Sequence, residues 1–179
     1  MKKKSIYIVQ SYSGTIPAKV IKIITRYKYS HIMIAIDEKF DKLYSFGRRT
    51  VNNPLNCGFI IESKDGNFFK KFHDTECRIY RIDVDIDKFN NIVEILNEYE
   101  SNPSKYDYDV IGLLLKVFKI NIKRKNHYVC SQFVAEVIDR SAIYKFSKPI
   151  EAVEPRDFEN IRGEVTYVGK LKDYNYAAR

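Results

Sequence analysis

The stretch "NHYVCSQFVAEVI", Asn126 to Ile138, reads as the opening of an amphipathic helix with one cysteine near its N-terminal end. Asn126 is the expected N-cap, because its side-chain oxygen can accept from a free N–H of the first turn. Spacings of four and eight from Cys130 reach Val134 and Ile138, and the same spacings from Val129 reach Phe133 and Val137. Together they make an apolar stripe that packs the helix onto a core. Cys130 therefore has two readings. As a small apolar residue it fills that core, free cysteine being among the most buried residue types. As a thiol at a helix N-terminus it meets unpaired N–H groups and a dipole that favour the thiolate, and the same N–H groups could hold the oxyanion of a tetrahedral intermediate.

A nucleophile needs a base, and the chain has three histidines, His31, His73 and His127. His127 lies close to the cap and is expected to face solvent. His73 follows "NFFKKF" in what reads as a surface loop. His31 opens "SHIMIAID", Ser30 to Asp37, in line with Met33 and Ala35, while Ile32, Ile34 and Ile36 take the other face. Both faces are mostly apolar, which marks a central strand. A histidine at the end of such a strand is either a core residue satisfied by a hydrogen bond or the partner of a thiol.

The remaining elements follow from pattern. Ser5 to Gln10 reads as a first strand, "SYSGT" (Ser11 to Thr15) as a turn, and Pro17 as the first turn of a helix ending near Tyr27. "LYSF" returns as the hairpin partner of the His31 strand. Arg48 to Gly58 reads as a polar loop and "FIIES" as a short element after it. Thr75 to Val84 alternates as a strand, with Cys77, Ile79, Arg81 and Asp83 on one face and Arg78, Tyr80, Ile82 and Val84 on the other. "DIDKFNNIVEILNEYE" is an amphipathic helix with acidic residues in its first turn. Helices are expected from Val110 to about Phe118, the former a buried one, and from Tyr128 to about Arg140. "EPRDFENI" is a short turn or helix and "EVTYVGKL" a last strand. Strands and helices are segregated, so the expected class is α+β in one domain, residues 1–179.

Composition narrows the function. Hydrophobic residues make up 45% and charged residues 30%, an ordinary globular balance. The net charge is +8 and the pI about 9.2, which suits anionic partners. The lysines are scattered, with no basic run interleaved with aromatics, so nucleic acid is not the expected partner. The apolar run Ile6 to Val9 is too short for a signal peptide core, and no apolar run reaches the length of a membrane span. Peripheral contact with a membrane stays open through the apolar segment "DVIGLLLKVFKI". Cys57, Cys77 and Cys130 are odd in number and far apart, so neither a disulfide framework nor a structural zinc site is expected. That pattern fits a reducing compartment, and the cytoplasm is the expected location. No cofactor and no metal are expected.

The helix-opening "YVCSQFVAEVI", preceded far upstream by "YSHIMIAID", resembles the circularly permuted NlpC-type papain-like proteins. That group includes the YiiX/YaeF-like bacterial proteins and, more distantly, the lecithin:retinol acyltransferase-like enzymes. In it the histidine strand precedes the cysteine helix. "KYDYDVIGLL" (Lys105 to Leu115) resembles the element before the cysteine helix, "EPRDFEN" (Glu154 to Asn160) the element after it, and "VTYVGKL" (Val165 to Leu171) the closing strand. The resemblance spans most of the chain, in the family's order.

The resemblance implies a papain-like antiparallel sheet with helices packed on it, with Cys130 as nucleophile and His31 as base. A cysteine hydrolase of the peptidase or amidase kind would follow, cleaving an amide or ester through an acyl-enzyme. The family's glutamate on the next strand is matched in "KLYSFGRR" by Ser45, which can orient an imidazole but cannot stabilise imidazolium as a carboxylate does. Glu62 in "FIIES" is the other candidate for that third position. Gln10 and Tyr12, which end the first strand, are candidate side-chain donors to the oxyanion. The substrate class is a peptide-like amide or an acyl lipid. Two alternatives accompany this reading: a lipid-directed thiol acyltransferase, and a non-catalytic binding module that keeps the fold.

Overall fold

A computed structural model describes residues 3–116, 118 and 120–178. In chain order the elements are β1 (Lys3–Tyr12), α1 (Ile16–Thr25), β2 (His31–Ala35), β3 (Leu43–Thr50), β4 (Asn53–Glu62), α2 (Asn67–Lys71), β5 (Glu76–Asp85), α3 (Ile86–Ser101), β6 (Asp107–Tyr108), α4 (Val110–Lys116), β7 (His127–Tyr128), α5 (Cys130–Arg140) and β8 (Glu164–Lys170). Short 3-10 turns join them, including Ile150–Ala152 and Pro155–Asn160. The eight strands form one sheet in the order β7-β6-β4-β3-β2-β1-β5-β8. Every neighbouring pair is antiparallel except β6 with β7. The class is mixed α+β.

Register sorts the sheet into two faces, since directly paired residues share a side. Ile8 pairs with Ile34 and Gln10 with Ile32. This face carries the larger core, where Ile32, Ile34, Phe46, Phe59, Tyr80 and Ile82 meet Ile92 and Leu96 of α3 and Phe133, Val134 and Val137 of α5. Tyr7, Val9, Met33, Leu43, Cys77 and Ile79 form the other face, closed by Phe40, Phe69 of α2, Leu171 and Tyr174. The alternation expected along β5 is therefore present, with Cys77 and Ile79 in one core and Tyr80, Ile82 and Val84 in the other. At the centre of the larger core the Phe133 ring lies 5.3 Å from Phe46, 5.6 Å from Phe59 and 4.9 Å from Tyr99, centroid to centroid.

Several sequence expectations are corrected. Arg48 to Gly58 is not a loop: β3 and β4 stay paired from Leu43 with Glu62 out to Thr50 with Asn53, and "FIIES" begins within β4. The strands extend past the core on backbone pairing and polar side-chain contacts, among them Arg49 with the Tyr106 carbonyl and Lys71 with Asn52, so no apolar alternation marks them. Ser11 and Tyr12 belong to β1 rather than to a turn. The segment before His73 is the short helix α2, held by Phe69. Tyr128 lies in β7, and α5 starts at Cys130 with Val129 as its N-cap. Asn126 instead takes a left-handed turn, φ 60°, a conformation asparagine tolerates. Finally α4 is not buried, because Val110, Ile111 and Leu114 are each more than half exposed.

Truncating Phe133 should leave a cavity among three rings. Phe133→Ala is expected to lower the unfolding free energy by about 3–5 kcal/mol. Val168→Ala, on the exposed side of β8, should stay within about 0.5 kcal/mol of the parent. Urea unfolding followed by circular dichroism measures both.

Candidate active site

Two chain segments position Cys130. From behind, the apolar stripe of α5 fixes the helix against β2 and β3: Cys130, Val134 and Ile138 are all buried, as are Phe133 and Val137. At the helix start, side chains tie it to the segment that follows. The Val129 N–H donates to Gln132 Oε1 at 2.9 Å, half of a capping box. Ser131 Oγ donates to the Val153 carbonyl at 2.7 Å, and Gln132 Nε2 to the Glu151 carbonyl at 3.3 Å. Cys130 is thus the first residue of a helix whose first turn is anchored on two sides.

Cys130 borders a narrow cleft of about 20 Å³, with Ile21, Ser30, Tyr108, Leu113, Val129, Ser131, Glu154 and Pro155. That volume holds about one water-sized group. His31 borders a second cavity of about 280 Å³, whose walls come from α1, the ends of β1 to β4, Tyr108 and α4. The two spaces share Ile21, Ser30, Tyr108 and Leu113. Thiol and imidazole therefore flank one shared wall at the end of β2. They belong to opposite faces of that strand: His31 pairs with Ser11 on the side of Met33, while α5 covers the side of Ile32.

His31 is half-buried as a residue and lines the cavity, and burial of its imidazole pushes its pKa down to about 4. The imidazole is then neutral near pH 7, the form that accepts a proton. Room for it comes from glycine. The register from Ile34 with Tyr44 places Gly47 opposite His31, and a Cβ at Gly47 would lie 3.6 Å from His31 Cε1 and 2.8 Å from Ile60 Cδ1.

The other sequence-predicted residues are placed differently. Ser45 is fully buried two residues beyond Gly47, and its hydroxyl donates to the Ile32 carbonyl at 2.6 Å. Glu62 borders the same cavity as His31. It sits four residues along and two strands across from the His31 level, roughly 16 Å between α-carbons at ordinary strand spacings, so its carboxylate does not reach the ring. Gln10 is buried on the α5 side, where its Nε2 donates to the Pro155 carbonyl at 2.6 Å and the Tyr27 hydroxyl lies 3.0 Å from its Oε1. Tyr12 borders neither space and carries the Lys22 ammonium over its ring. Neither residue is aimed at Cys130 as a free donor.

Two residues that sequence reasoning passed over stand where those donors were expected. Tyr108 borders both spaces. Burial, then the neighbouring Cys130, Cys57 and Asp109, hold its phenol well above the ordinary tyrosine range, so it remains a donor. Ser30 also borders both, and its buried Oγ has no hydrogen-bond partner among the described residues. Their signals were present: Tyr108 lies in the "KYDYD" element and Ser30 directly precedes His31. Asp109 fixes this corner, accepting from the Gly112 N–H at 2.9 Å and from Arg124 Nη1 at 2.8 Å.

Among the described residues, no group of three histidine, cysteine or acidic side chains is placed to hold a metal ion. No protein-family model, curated protein or solved structure matches the chain.

Burial raises the Glu62 pKa to about 7. An unfolded chain releases this proton near 4.5, so the folded state binds the extra proton between those values, and stability falls as pH rises from about 4.5 to 7. His31 acts in the other direction, its neutral burial costing stability as pH falls from about 6.5 to 4. Glu62→Gln should therefore stabilise the protein at pH 8, relative to its effect at pH 4.5, by about 1–3 kcal/mol. Urea unfolding at the two pH values measures this, and an equal effect at both would contradict it.

Proposed function

We propose that the chain is a thiol hydrolase of the permuted papain-like kind, cleaving an amide or ester through an acyl-enzyme on Cys130 with His31 as the base. The observation that carries the reading is the wall shared by Ser30 and Tyr108, with Cys130 at the start of α5 on one side and a neutral imidazole on the other. The order of histidine strand, cysteine helix and closing strand supports it as well.

The step runs as general-base-assisted attack. A carbonyl carbon enters the Cys130 cleft. His31 takes the thiol proton as the sulfur bonds to that carbon. The oxyanion accepts from peptide N–H groups opening α5 and from the Tyr108 hydroxyl. Collapse breaks the carbon–nitrogen or carbon–oxygen bond, and the leaving group takes the proton from His31. Water, deprotonated by His31, then releases the acid and restores the thiol. An imidazole held near 4 does not draw the proton from a resting thiol, so transfer accompanies attack rather than preceding it.

Two other readings each have an observation behind them. The mainly apolar wall around His31, with Ala18, Ile21, Phe46, Ile60 and Leu113, suits an acyl chain and hence acyl transfer to an acceptor other than water. A binding module is favoured by the lack, among the described residues, of a hydrogen bond that orients the imidazole, since the Ser45 hydroxyl is committed to Ile32.

Mass spectrometry after incubation with an activated ester separates these. The hydrolase should acquire and lose one acyl group on Cys130. Cys130→Ala should take up none, and His31→Ala should acylate about 100-fold or more slowly, within the usual range for general-base loss. The acid limb of the wild-type rate should fall near pH 4 rather than 6.5. Acylation at the same rate in the His31 variant would remove the paired mechanism, and no acylation at all would favour the binding module.

A further inference from the structure

Helices α1 and α4 both border the His31 cavity, and both carry apolar side chains on the side turned away from it. On α1, Ala18 and Ile21 line the cavity while Ile16 and Ile23 stand 79% and 76% exposed, with Val20 half-exposed between them. Spacings of four and three make this one stripe. On α4, Leu113 lines the cavity while Leu114 is 58% exposed, and Phe118 beyond the helix is 74% exposed. Val110 does both, lining the cavity and standing half-exposed. A helix ordinarily buries its apolar side chains on one face and leaves the opposite face polar. Here, eight of the twelve large exposed apolar side chains among the described residues fall within 16–23 and 110–120.

Charge follows the same two stretches. Residues 11–36 contain four basic residues and residues 110–135 contain five, and all 23 acidic residues of the chain lie elsewhere. Lys19 and Lys22 lie exposed beside the α1 stripe, and Lys123 and Lys125 are likewise exposed after α4.

We propose that the outer faces of α1 and α4 form a docking surface for an anionic lipid bilayer. The apolar stripes enter the headgroup boundary and the flanking lysines meet lipid phosphates, the two signals that give a peripheral protein stable adhesion. Among the described residues no helix is long and apolar enough to cross a membrane, so the contact is with the surface. A second copy of the chain fits less well, because it would set these basic stretches against each other in a protein of net charge +8. The inference needs no turnover and stands whether or not Cys130 is a nucleophile.

Vesicle flotation tests it, with phosphatidylcholine alone and with 30% phosphatidylglycerol, in low and high salt. The intact chain should bind the anionic vesicles at least tenfold better than the neutral ones, less so in high salt. Ile16→Asp with Ile23→Asp should lose tenfold or more while thermal unfolding is unchanged. Lys19→Glu with Lys22→Glu, at exposed positions, gives a second variant with the same expected direction should the first fail to fold. Equal binding to both vesicle types, no binding, or variants that bind like the parent would overturn the proposal. So would a concentration-dependent dimer that these substitutions dissolve, which would assign the face to a second copy.

Discussion

The packing of α5 across β2 and β3 is the constraint from which the rest follows. Phe133 enters the rings of Phe46, Phe59 and Tyr99, and Val134, Val137 and Ile138 fill the surface beside Ile32 and Ile34. A helix so keyed has one rotation about its axis and one position along it. Its first residue is therefore fixed, and the ties from Ser131 and Gln132 to Val153 and Glu151 hold the first turn in place. The apolar stripe and the presented thiol are one feature: the burial that makes Cys130 look like core filler is what sets it beside the end of β2.

The electrostatics at that end are dominated by desolvation. His31 is held neutral, Glu62 is held protonated to about pH 7, and the Tyr108 phenol is held well above its ordinary range. At these three groups burial disfavours charge rather than pairing it. In the proposed mechanism such a resting site differs from a thiolate–imidazolium pair, because its proton would move only as an electrophile arrives to receive the sulfur. Charge gathers instead on the outside, on the lysines beside the exposed stripes of α1 and α4.

Much of the fold was legible because its central elements bury side chains with a clear period. The His31 strand, β5, α3 and the stripe of α5 all show it. The β3–β4 hairpin did not, since Arg48 to Asn53 pairs beyond the core through backbone groups that leave no apolar signature. Asn126 looked like a cap because asparagine serves both caps and left-handed turns, and only the structure distinguishes them. Of the candidate site, the places of Cys130 near the start of a helix and of His31 at the start of a central strand were readable from the pattern. The third position was not, because register decides it: the residue opposite His31 is Gly47, which offers space and no side-chain partner. Tyr108 and Ser30 were hidden for a similar reason, since their place depends on how β6 and the end of β2 meet the start of α5.

The central claim is that Cys130 and His31 act as a pair across the end of β2. The most direct measurement is the rate of Cys130 alkylation by iodoacetamide against pH, in the wild type and in His31→Ala, with Cys57 and Cys77 replaced by serine in both. A pair requires that removing the imidazole slow alkylation at neutral pH by tenfold or more. Superimposable profiles in the two proteins would contradict it.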